Sequence, residues 1–586
     1  MSSYNKNLDK NKANHIPLTP LTFLERAKDV YPNYEAIVYE DRKYTWIEIY
    51  KRAVKFASAL SKIGINKGDT VSFLAFNTPE IFEAHYSVPM TGGVLNTINI
   101  RLDANTIAYI LDHSEAKVLV VDRQLHVEVK KALTILDKKI TVIDIHDKFA
   151  DQSKLEKIGD LEYESFLNTG DENYEWKKPK DEWQAISLGY TSGTTGKPKG
   201  VMLSHNNIVT NVLDSYPRLP LPAGEINALS FLPVCHVFER MLHYLYLYSG
   251  TSVYFAESIE KIGENIKEVK PHFMSVVPRL LEKVYDGIIK KGSELTGIKK
   301  MLFFWAVDVG LKYQPYHKNG WFYDQKLAIA NKLIFSKWRE ALGGNLTTMV
   351  SGSAALQPRL ARVFTAARMH VMEGYGLTET SPVISVNMYK DNLMRIGTVG
   401  TAINNVEIKI AEDGEILVKG PNVMQGYYKD SEKTSSVMSN GYFHTGDKGE
   451  LDEDGFLKIT GRKKEIFKTS GGKYIVPALL ENEMKESRFI EQILVIGEGQ
   501  KMPAAIIQPN FQFLRDWARI HNEPISENNE DLIKNPVVIS RIQLEVDKGN
   551  EKFAKWETIK RFELTPEIWG IDNGLLTPTM KPKRTE

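Results

Sequence analysis

Residues 190–200 read YTSGTTGKPKG, a stretch that brings glycines, hydroxyl side chains and lysines close together. Glycine permits backbone conformations in which successive N–H groups point inward, and Lys197 and Lys199 add positive charge at the same place. An apolar run precedes the stretch, and Ser204 after it is placed to cap a helix. The sequence therefore predicts a loop, held between a strand and a helix, that suits a polyphosphate.

The spacing of this stretch differs from that of a Walker A loop. Pro198 follows Lys197 where that motif has Ser or Thr, and the four-residue spacer between the glycines is missing. A Gly- and Thr-rich turn is also typical of an ordinary surface loop. Spacing alone therefore leaves phosphate binding and a plain turn as alternatives.

The composition bounds the class of protein. The chain has 586 residues, 42% of them hydrophobic, which is enough for several domains with a large core. Its 75 Lys and Arg residues balance 74 Asp and Glu residues, so nothing in the overall charge indicates nucleic acid as a partner. A polyanionic ligand would have to be bound by local groups.

Cysteine use and the N-terminal segment indicate a cytoplasmic protein. Cys235 is the only cysteine, which excludes an intrachain disulfide and a multi-cysteine metal site. The N-terminus lacks the apolar segment of a secretory signal, and no run reaches the roughly 18 apolar residues of a spanning helix. These features leave room for a transient peripheral membrane contact, and they do not indicate an oligomeric state.

Alternating helix and strand patterns predict an α/β fold. Thr45 and Glu48 form a capping box before a helical pattern, and TVSFLAF, AKVLVVD and KITVIDI read as buried strands. The charged segment 147–180 reads as a surface excursion. From Val406 the chain changes to hairpin-like strands, VEIKIAEDGEILVKG, and a smaller α+β region follows a boundary near Gly461.

Several motifs together make a resemblance specific. YTSGTTGKPKGVMLSH resembles the phosphate-loop signature of the adenylate-forming superfamily, which includes acyl-CoA synthetases, firefly luciferase and the adenylation domains of peptide synthetases. Its other motifs follow in order along most of the chain: LPVCHVFER (232–240), VSGSAAL (350–356), EGYGLTETSP (373–382), YFHTGD (442–447), GRKKEIFKTSGGKYIVP (461–477) and LTPTMKPKR. Within the superfamily, LPVCHVFER, the insertion at about 292–344 and LTPTMK resemble long-chain fatty acid–CoA ligases.

The resemblance implies a fold and a reaction. Residues 1–461 would form a large N-terminal domain of layered βαβ-type subdomains with a β-barrel-like part, and residues 462–586 a small, mobile α+β domain. A fatty acid carboxylate would attack the α-phosphorus of ATP and release pyrophosphate, and the thiol of coenzyme A would then displace AMP from the acyl adenylate. Two anions meet in the first step, so the site needs positive charge and hydrogen-bond donors.

The resemblance also implies the phosphate and metal sites. The β- and γ-phosphates would be bound by Thr191, Ser192, Gly193, Thr194, Thr195, Gly196 and Lys197. Mg²⁺ would be shared between phosphate oxygens, the carboxylate of Glu379 and the hydroxyl of Thr191, which suits an ion that takes few protein carboxylates. Without the resemblance, Glu379 reads as a helix-capping acid.

Later motifs would bind the nucleoside. Contacts to adenine and ribose are expected from Gly352, Ser353, Ala354, Glu373, Gly374, Tyr375, Gly376, Thr378, Asp447 and Arg462. Small side chains at 352–354 would let the flat base approach, and Tyr375 would stack on its other face. Asp447, assisted by Arg462, would accept hydrogen bonds from the ribose hydroxyls. Read without the resemblance, these segments are a helix start, a core aromatic and a turn.

A histidine and a lysine would act on the carboxylate. His236 would orient it at the mouth of an acyl tunnel, with a buried structural histidine as the alternative, and Arg240 is a weaker candidate. Lys581 matches the lysine that bridges the carboxylate and the α-phosphate, and a register slip would put Lys583 or Arg584 in its place. Only five residues follow Lys581, whereas related chains commonly continue into a further helix.

The resemblance further implies a moving part. After adenylation the small domain would rotate about a hinge near Lys464, which withdraws Lys581 and presents another face for the thioester step. Lys468 would contact phosphate, although an exposed lysine at a strand edge would look the same.

Two other functions remain alternatives. A peptide-synthetase adenylation domain would activate an amino acid, which requires an acidic residue for the ammonium group and usually an attached carrier domain, and the chain ends without a carrier segment. A nucleotide- or lipid-binding homologue would have kept the fold and lost the chemistry. The presence together of Glu379, Asp447, Arg462 and Lys581 favours the ligase.

Overall fold

The computed structural model describes residues 6, 8–11, 13–191, 197–219, 221, 224, 226–570, 573–576 and 582–584. Within those ranges, no helix combines the length and the apolar character needed to cross a bilayer.

Helices and strands alternate through the first part of the chain. The strands are β1 (Glu35–Tyr39), β2 (Arg42–Thr45), β3 (Thr70–Leu74), β4 (Val94–Thr97), β5 (Val118–Asp122), β6 (Thr141–Ile145), β7 (Leu161–Glu162), β8 (Ala185–Thr191) and β9 (Lys199–Ser204). The helices are α1 (Leu21–Val30), α2 (Trp46–Lys62), α3 (Pro79–Met90), α4 (Ala104–His113), α5 (His126–Ile135), α6 (Tyr163–Leu167) and α7 (His205–Ser215).

The alternation continues in the middle of the chain. The strands are β10 (Asn227–Ser230), β11 (Ser252–Phe255), β12 (Phe273–Val276), β13 (Thr348–Ser351), β14 (His370–Gly376), β15 (Val383–Val386) and β16 (Thr401–Ala402). The helices are α8 (Val237–Ser249), α9 (Ile262–Val269), α10 (Pro278–Ser293), α11 (Gly297–Leu311), α12 (Trp321–Ala330), α13 (Ser336–Ala341) and α14 (Pro358–Ala366).

Strands dominate the next segment, and an α+β region follows. The strands are β17 (Glu407–Ile410), β18 (Glu415–Lys419), β19 (Gly426–Tyr427), β20 (Met438–Ser439), β21 (Tyr442–Leu451), β22 (Leu457–Arg462), β23 (Phe467–Lys468), β24 (Tyr474–Ile475), β25 (Ile490–Ile496), β26 (Ala504–Pro509) and β27 (Arg561–Leu564). The helices are α15 (Ser431–Val437), α16 (Pro477–Met484), α17 (Phe511–His521), α18 (Asn529–Leu532) and α19 (Pro536–Asn550).

Two large sheets carry the N-terminal part. Among the described strands, one sheet has the order β19-β9-β8-β4-β3-β5-β6-β7, in which β8 to β7 run parallel and β9 and β19 are antiparallel additions. The other has the order β16-β15-β14-β13-β12-β10-β11-β1-β2, in which β14 to β1 run parallel. The α/β prediction is therefore confirmed, because buried parallel strands with intervening helices form both sheets.

Local sequence signals explain two helices that flank the strands. The capping box at the start of α2 forms as predicted, since the Thr45 N–H donates to the Glu48 carboxylate at 2.8 Å and the Thr45 hydroxyl accepts from the Glu48 N–H. Ser204 caps α7 in the same way with Asn207 as its partner. Ser204 thus caps a helix as predicted, but residues 199–204 before it form β9, a strand that the sequence analysis did not predict.

The interpretation of 147–180 as a surface excursion is wrong in part. This segment adds β7 to the edge of the first large sheet, and α6 buries Tyr163, Phe166 and Leu167. The Tyr163 ring stacks on Phe56 of α2 with 4.6 Å between the ring centroids. Three apolar side chains in a charged segment are enough to attach it to the core.

The C-terminal part of the chain contains smaller sheets. Strands β17, β18, β21, β20 and β22 pair as an antiparallel sheet, in which Gly414 makes the predicted turn between β17 and β18. Beyond β22, side chains between 467 and 559 pack into a separate apolar cluster that includes Leu480, Ile493 and Ile542. The chain thus has a large N-terminal domain and a smaller C-terminal one.

Candidate active site

Most of the predicted site residues lie where strands of the two large sheets end. Thr191 is the last residue of β8, Gly352 follows β13, and Gly376 ends β14. A Cβ atom added to Gly189 of β8 would lie 3.5 Å from Cγ2 of Thr378, so the two sheets meet at this place. Open α/β sheets commonly bind ligands outside the carboxyl ends of their parallel strands.

Glu379 lies in a short turn that hydrogen bonds attach to β19. Its carboxylate accepts a hydrogen bond from the hydroxyl of Tyr427 at 2.8 Å, and its backbone carbonyl accepts one from the Met424 N–H at 2.8 Å. The turn itself is a single 3₁₀ turn, Thr378–Thr380. The carboxylate therefore contacts a tyrosine rather than capping a helix.

Lys199 lies beside the tyrosine that binds this carboxylate. The Lys199 ammonium lies 5.2 Å from the centre of the Tyr427 ring. Burial and the positive charges of Lys433 and Lys464 lower the pKa of Lys199, and the Glu379 carboxylate opposes that shift. Positive charge from β9, from α15 and from the residues after β22 thus converges near Glu379, which is what a polyphosphate requires.

Asp447 connects two strands at the other side of the site. Its Oδ2 accepts a hydrogen bond from the Tyr375 hydroxyl at 2.7 Å, and its Oδ1 lies 3.0 Å from Nε of Arg462. Asp447 lies within β21, opposite Arg462 of β22, and not in a turn. Burial lowers the pKa of the Arg462 guanidinium, but the charges of Asp447 and Glu379 raise it, and the net shift is upward.

The loop after β13 is open to solvent and is held by a hydrogen bond from a neighbouring strand. Ser353 and Ala354 are exposed, and Ser353 has a φ of 69°, in the left-handed region. The carboxyl group of Glu373 accepts a hydrogen bond from the Leu356 N–H at 2.9 Å, which ties the loop to β14. Burial raises the pKa of Glu373 to about 8. The Glu373 side chain therefore positions the loop and is neutral at pH 7.

Two glycines of the predicted nucleoside site have close neighbours, and at one of them a side chain is excluded. A Cβ atom at Gly376 would lie 1.9 Å from the carbonyl oxygen of Pro382, so no side chain fits there. A Cβ atom at Gly352 would lie 3.3 Å from the ring of Phe238, close behind His236. Gly374 is paired with Val386 in the adjoining antiparallel strand β15.

His236 and Arg240 lie one turn apart at the start of α8. His236 is the residue before this helix, and its Nε2 lies 3.4 Å from the amide nitrogen of Asn99. Burial, followed by the positive charge of Arg101, lowers the pKa of His236. Arg240 is buried and donates to Ser187 and Tyr244. His236 is therefore neutral at pH 7. The guanidinium of Arg240, in contrast, binds side chains inside the core.

The remaining predicted residues lie at the edges of the site or outside the described residues. Lys197 is exposed, with its ammonium 5.1 Å from the centre of the Tyr109 ring. Lys464 is exposed just after β22, and Lys468 is exposed on β23, with its ammonium 5.3 Å from the centre of the Tyr474 ring. Ser192, Gly193, Thr194, Thr195, Gly196 and Lys581 fall outside the residues that the structure describes.

Comparison with protein families decides what this arrangement is. The profile of the AMP-binding enzymes matches residues 24–428, and that of the AMP-binding enzyme C-terminal domain matches residues 464–563. The chain belongs to the AMP-binding enzyme family.

Relatives of this AMP-binding enzyme cover nearly its whole length. The long-chain-fatty-acid–CoA ligase FadD15 of Mycobacterium bovis is 31% identical over 538 residues, which are 90% of this chain and 87% of the relative. The fatty acyl-CoA synthetase A of Dictyostelium discoideum is 32% identical over 580 residues, 93% of this chain and 84% of the relative.

Solved structures share the fold. The anthranilate CoA ligase AuaEII, in complex with anthranoyl-AMP, superposes with a TM-score of 0.74 at 19% identity and covers 98% of both chains. The O-succinylbenzoate coenzyme A synthetase of Bacillus subtilis, in complex with ATP and a magnesium ion, superposes with a TM-score of 0.69 at 20% identity, over 96% of this chain and 98% of that one.

Sequence reasoning missed several residues that shape the site of this AMP-binding enzyme. Tyr427 binds Glu379, Asn99 lies beside His236, and Phe238 packs against Gly352. Lys199 was expected to add positive charge to the phosphate stretch, but it was not among the residues expected to bind phosphate. Only Phe238 carried a local signal, since it follows His236 in the same motif.

Proposed function

We propose that this AMP-binding enzyme ligates a long-chain fatty acid to coenzyme A through an acyl adenylate, with ATP converted to AMP and pyrophosphate. The observation that carries the proposal is the convergence of Glu379, Lys199 and the Asp447–Arg462 pair beside the ends of β8 and β14. The substrate class comes from relatives such as FadD15 of Mycobacterium bovis, which is named as a ligase of long-chain fatty acids.

The nucleoside would bind between the loop after β13 and Asp447. The exposed residues Ser353 and Ala354 offer small side chains to a flat base. Among the described residues, each oxygen of Asp447 has one partner, and a carboxylate oxygen has two acceptor sites, so lone pairs remain for the two ribose hydroxyls. Tyr375 and Arg462 would act by holding this carboxylate in place.

The triphosphate would lie between the 191–197 loop and the lysines near Glu379. Thr191 ends β8 opposite Lys199 of β9, which places both at the same edge. Transfer at phosphorus builds negative charge on the phosphate oxygens and the leaving pyrophosphate, and preorganised cations lower the energy of that state. Lys197 and Lys199 supply such charge in this chain.

A magnesium ion fits the residues at Glu379. Among the described residues, no group of three or more His, Cys, Asp or Glu side chains could hold a metal ion without the nucleotide. Mg²⁺ typically takes one or two carboxylates and completes its six ligands with phosphate oxygens and water. Glu379 and the hydroxyl of Thr191 would hold the ion against the phosphates. When bound, the ion neutralises phosphate charge, and Tyr427 orients the carboxylate.

His236 would position the fatty acid carboxylate. Because burial favours its neutral form, the imidazole can donate one hydrogen bond to the carboxylate without forming a fixed ion pair. The Asn99 amide on its Nε2 side orients the ring. The attacking carboxylate oxygen then needs no deprotonation, since a fatty acid is ionised at neutral pH.

The two half-reactions would use different faces of the small domain. We place its boundary at 461/462, at the last residue of β22, and the separate apolar cluster beyond it supports this division. Lys581 would bridge the carboxylate and the α-phosphate during adenylation. Rotation about Lys464 would then bring Lys468 and its loop to the acyl adenylate, where the thiolate of coenzyme A attacks the carbonyl and AMP leaves.

The first test is pyrophosphate release from ATP and Mg²⁺ with fatty acids of increasing chain length. We expect release to be greatest with long chains and acyl-CoA to form only when coenzyme A is added. Amino acids serve as controls, because release driven by one of them would indicate an amino-acid adenylation enzyme. Binding of ATP without release with any acid would contradict catalysis and indicate a binding protein.

A further inference from the structure

The helices between β12 and β13 expose large apolar side chains on their outer side. The inner side of α11 buries Phe303, Ala306 and Val307, and α12 with the turn after it buries Ala330 and Phe335, all in one core cluster. Exposed apolar residues away from this cluster include Ile298, Met301, Trp321, Phe322, Ile329 and Leu333. We call the side that carries them the outer helical face.

Contacts between the helices show that they pack side by side. The Tyr323 hydroxyl of α12 donates to the Val309 carbonyl of α11 at 2.7 Å, and Phe303 of α11 meets Trp338 of α13 with ring centroids 6.1 Å apart. The start of α12 thus lies near the end of α11, so the helices run antiparallel and side by side. Since both bury their inner sides in the same core, both outer sides point away from it.

The exposure at this face is large for aromatic side chains. Trp321 is 65% exposed and Phe322 is 79% exposed, and their rings contact each other at 4.9 Å. Soluble proteins rarely leave neighbouring aromatic side chains this open without a partner, because each would gain from burial. The face therefore has the apolar content of a docking surface.

Its charge indicates what kind of partner fits. Between 297 and 340 there are eight Lys and Arg residues against three Asp and Glu residues, whereas the whole chain has a formal net charge of +1. Lys299 and Lys300 flank the apolar residues of α11, and Lys326 and Lys332 flank those of α12, all exposed. A second copy of this chain would bring the same positive charge against the face.

We infer that the outer helical face docks on a lipid bilayer that carries anionic headgroups. Trp and Phe insert at the boundary of headgroups and acyl chains, and lysines extend their ammonium groups to the phosphates. This combination of exposed aromatic residues with basic residues on one helical face is typical of surface binding without insertion of a whole helix. The inference concerns where the enzyme sits and goes beyond the ligation reaction.

The test is sedimentation of the full chain with vesicles, which does not depend on turnover. We compare vesicles of phosphatidylcholine alone with vesicles of equal parts phosphatidylcholine and phosphatidylglycerol, at low and high salt. The wild type should bind the anionic vesicles, and added salt should weaken binding. W321A/F322A should weaken it at least tenfold. K326E/K332E should weaken binding to anionic vesicles by about fivefold for each lysine lost.

Matched variants control for general effects of the substitutions. I520A/L544A removes two exposed apolar side chains from α17 and α19, and K51E/K534E reverses two exposed lysines elsewhere, so both should bind as the wild type does. Circular dichroism checks that every variant is folded. Absence of wild-type binding would overturn the inference. So would equal binding by W321A/F322A, or concentration-dependent self-association abolished by that variant without any effect of lipid.

Discussion

Asp447 accepts a 2.7 Å hydrogen bond from the hydroxyl of Tyr375, and this contact joins β21 to β14. If Asp447 binds ribose, Tyr375→Phe should leave it held by Arg462 alone. A net loss of about 1 kcal/mol for one hydrogen bond corresponds to a KM for ATP about fivefold higher. The KM for the fatty acid should change little. Initial rates over a range of ATP concentrations measure this split.

Tyr323→Phe is the matched control for Tyr375→Phe. It removes a hydroxyl that also makes a 2.7 Å hydrogen bond, to the carbonyl of Val309, in the helices away from the strand ends. Stability should fall by a similar amount in both variants, but only Tyr375→Phe should raise the KM for ATP. Equal kinetic effects of the two substitutions would contradict the role of Asp447.

Glu379 and Tyr427 allow charge and orientation to be separated. Glu379→Gln keeps an oxygen that can accept from the Tyr427 hydroxyl but removes the negative charge, so it should weaken the use of Mg²⁺. We expect kcat to fall at least tenfold and half-maximal activity to require more Mg²⁺. Rates against free Mg²⁺ at constant ATP measure both effects.

Tyr427→Phe is the comparison for Glu379→Gln. It leaves the carboxylate charged and removes only its 2.8 Å hydrogen bond, so the Mg²⁺ requirement should change by less than in Glu379→Gln. If both variants and the wild type share one Mg²⁺ dependence, Glu379 does not hold the ion.

The strand and helix pattern around the site could be predicted because its signals are local. Ser204 and Asn207 are three residues apart, and their capping contacts depend on nothing else. The same reasoning underestimated 147–180, because three apolar side chains in a charged segment have no periodic pattern. Burial of such side chains becomes apparent only when α2 lies beside them.

The partners of the site residues could not be predicted, since they come from distant parts of the chain. Tyr427 is 48 residues from Glu379, and it reaches the carboxylate only because β19 pairs with β9. The resemblance placed Glu373 at the nucleoside, whereas its carboxyl group contacts the Leu356 backbone. Motifs thus predicted a candidate site, and pairing of strands determined which of its side chains orient each other.

Lys581→Ala should separate the two half-reactions. Loss of the bridging ammonium should slow acyl-adenylate formation by at least a hundredfold, while thioester formation from a supplied acyl adenylate should change little. Pyrophosphate release and acyl-CoA formation measure the two steps separately. Equal losses in both steps, with the fold intact, would contradict alternation of the small domain.

The tail offers internal controls for the assignment of Lys581. Arg584 donates to both carboxylate oxygens of Glu481 at 2.9 and 2.8 Å and to the Val495 carbonyl, so it anchors the tail to α16 and β25. We expect Lys583→Ala to keep most of the adenylation rate. If Lys583→Ala instead reproduces the defect and Lys581→Ala does not, the motif is shifted by two residues.

Glu373 should make stability depend on pH, because burial raises its pKa from 4.5 to about 8. The folded state prefers the protonated acid, so this group's contribution to stability is fully present below about pH 4.5 and is lost as the pH rises through about 8.

Glu373→Gln keeps an acceptor for the Leu356 N–H and cannot ionise. The stability of this variant relative to the wild type should therefore increase from pH 5 to pH 9. The gain is about 1.4 kcal/mol for each unit by which the pKa of Glu373 in the folded state exceeds that in the unfolded state. Thermal unfolding at pH 5, 7 and 9 measures the gain, with Glu453→Gln as the exposed control. Parallel pH profiles for the wild type and Glu373→Gln would show that Glu373 is ionised in the folded protein, and its carboxylate would then need a cationic partner.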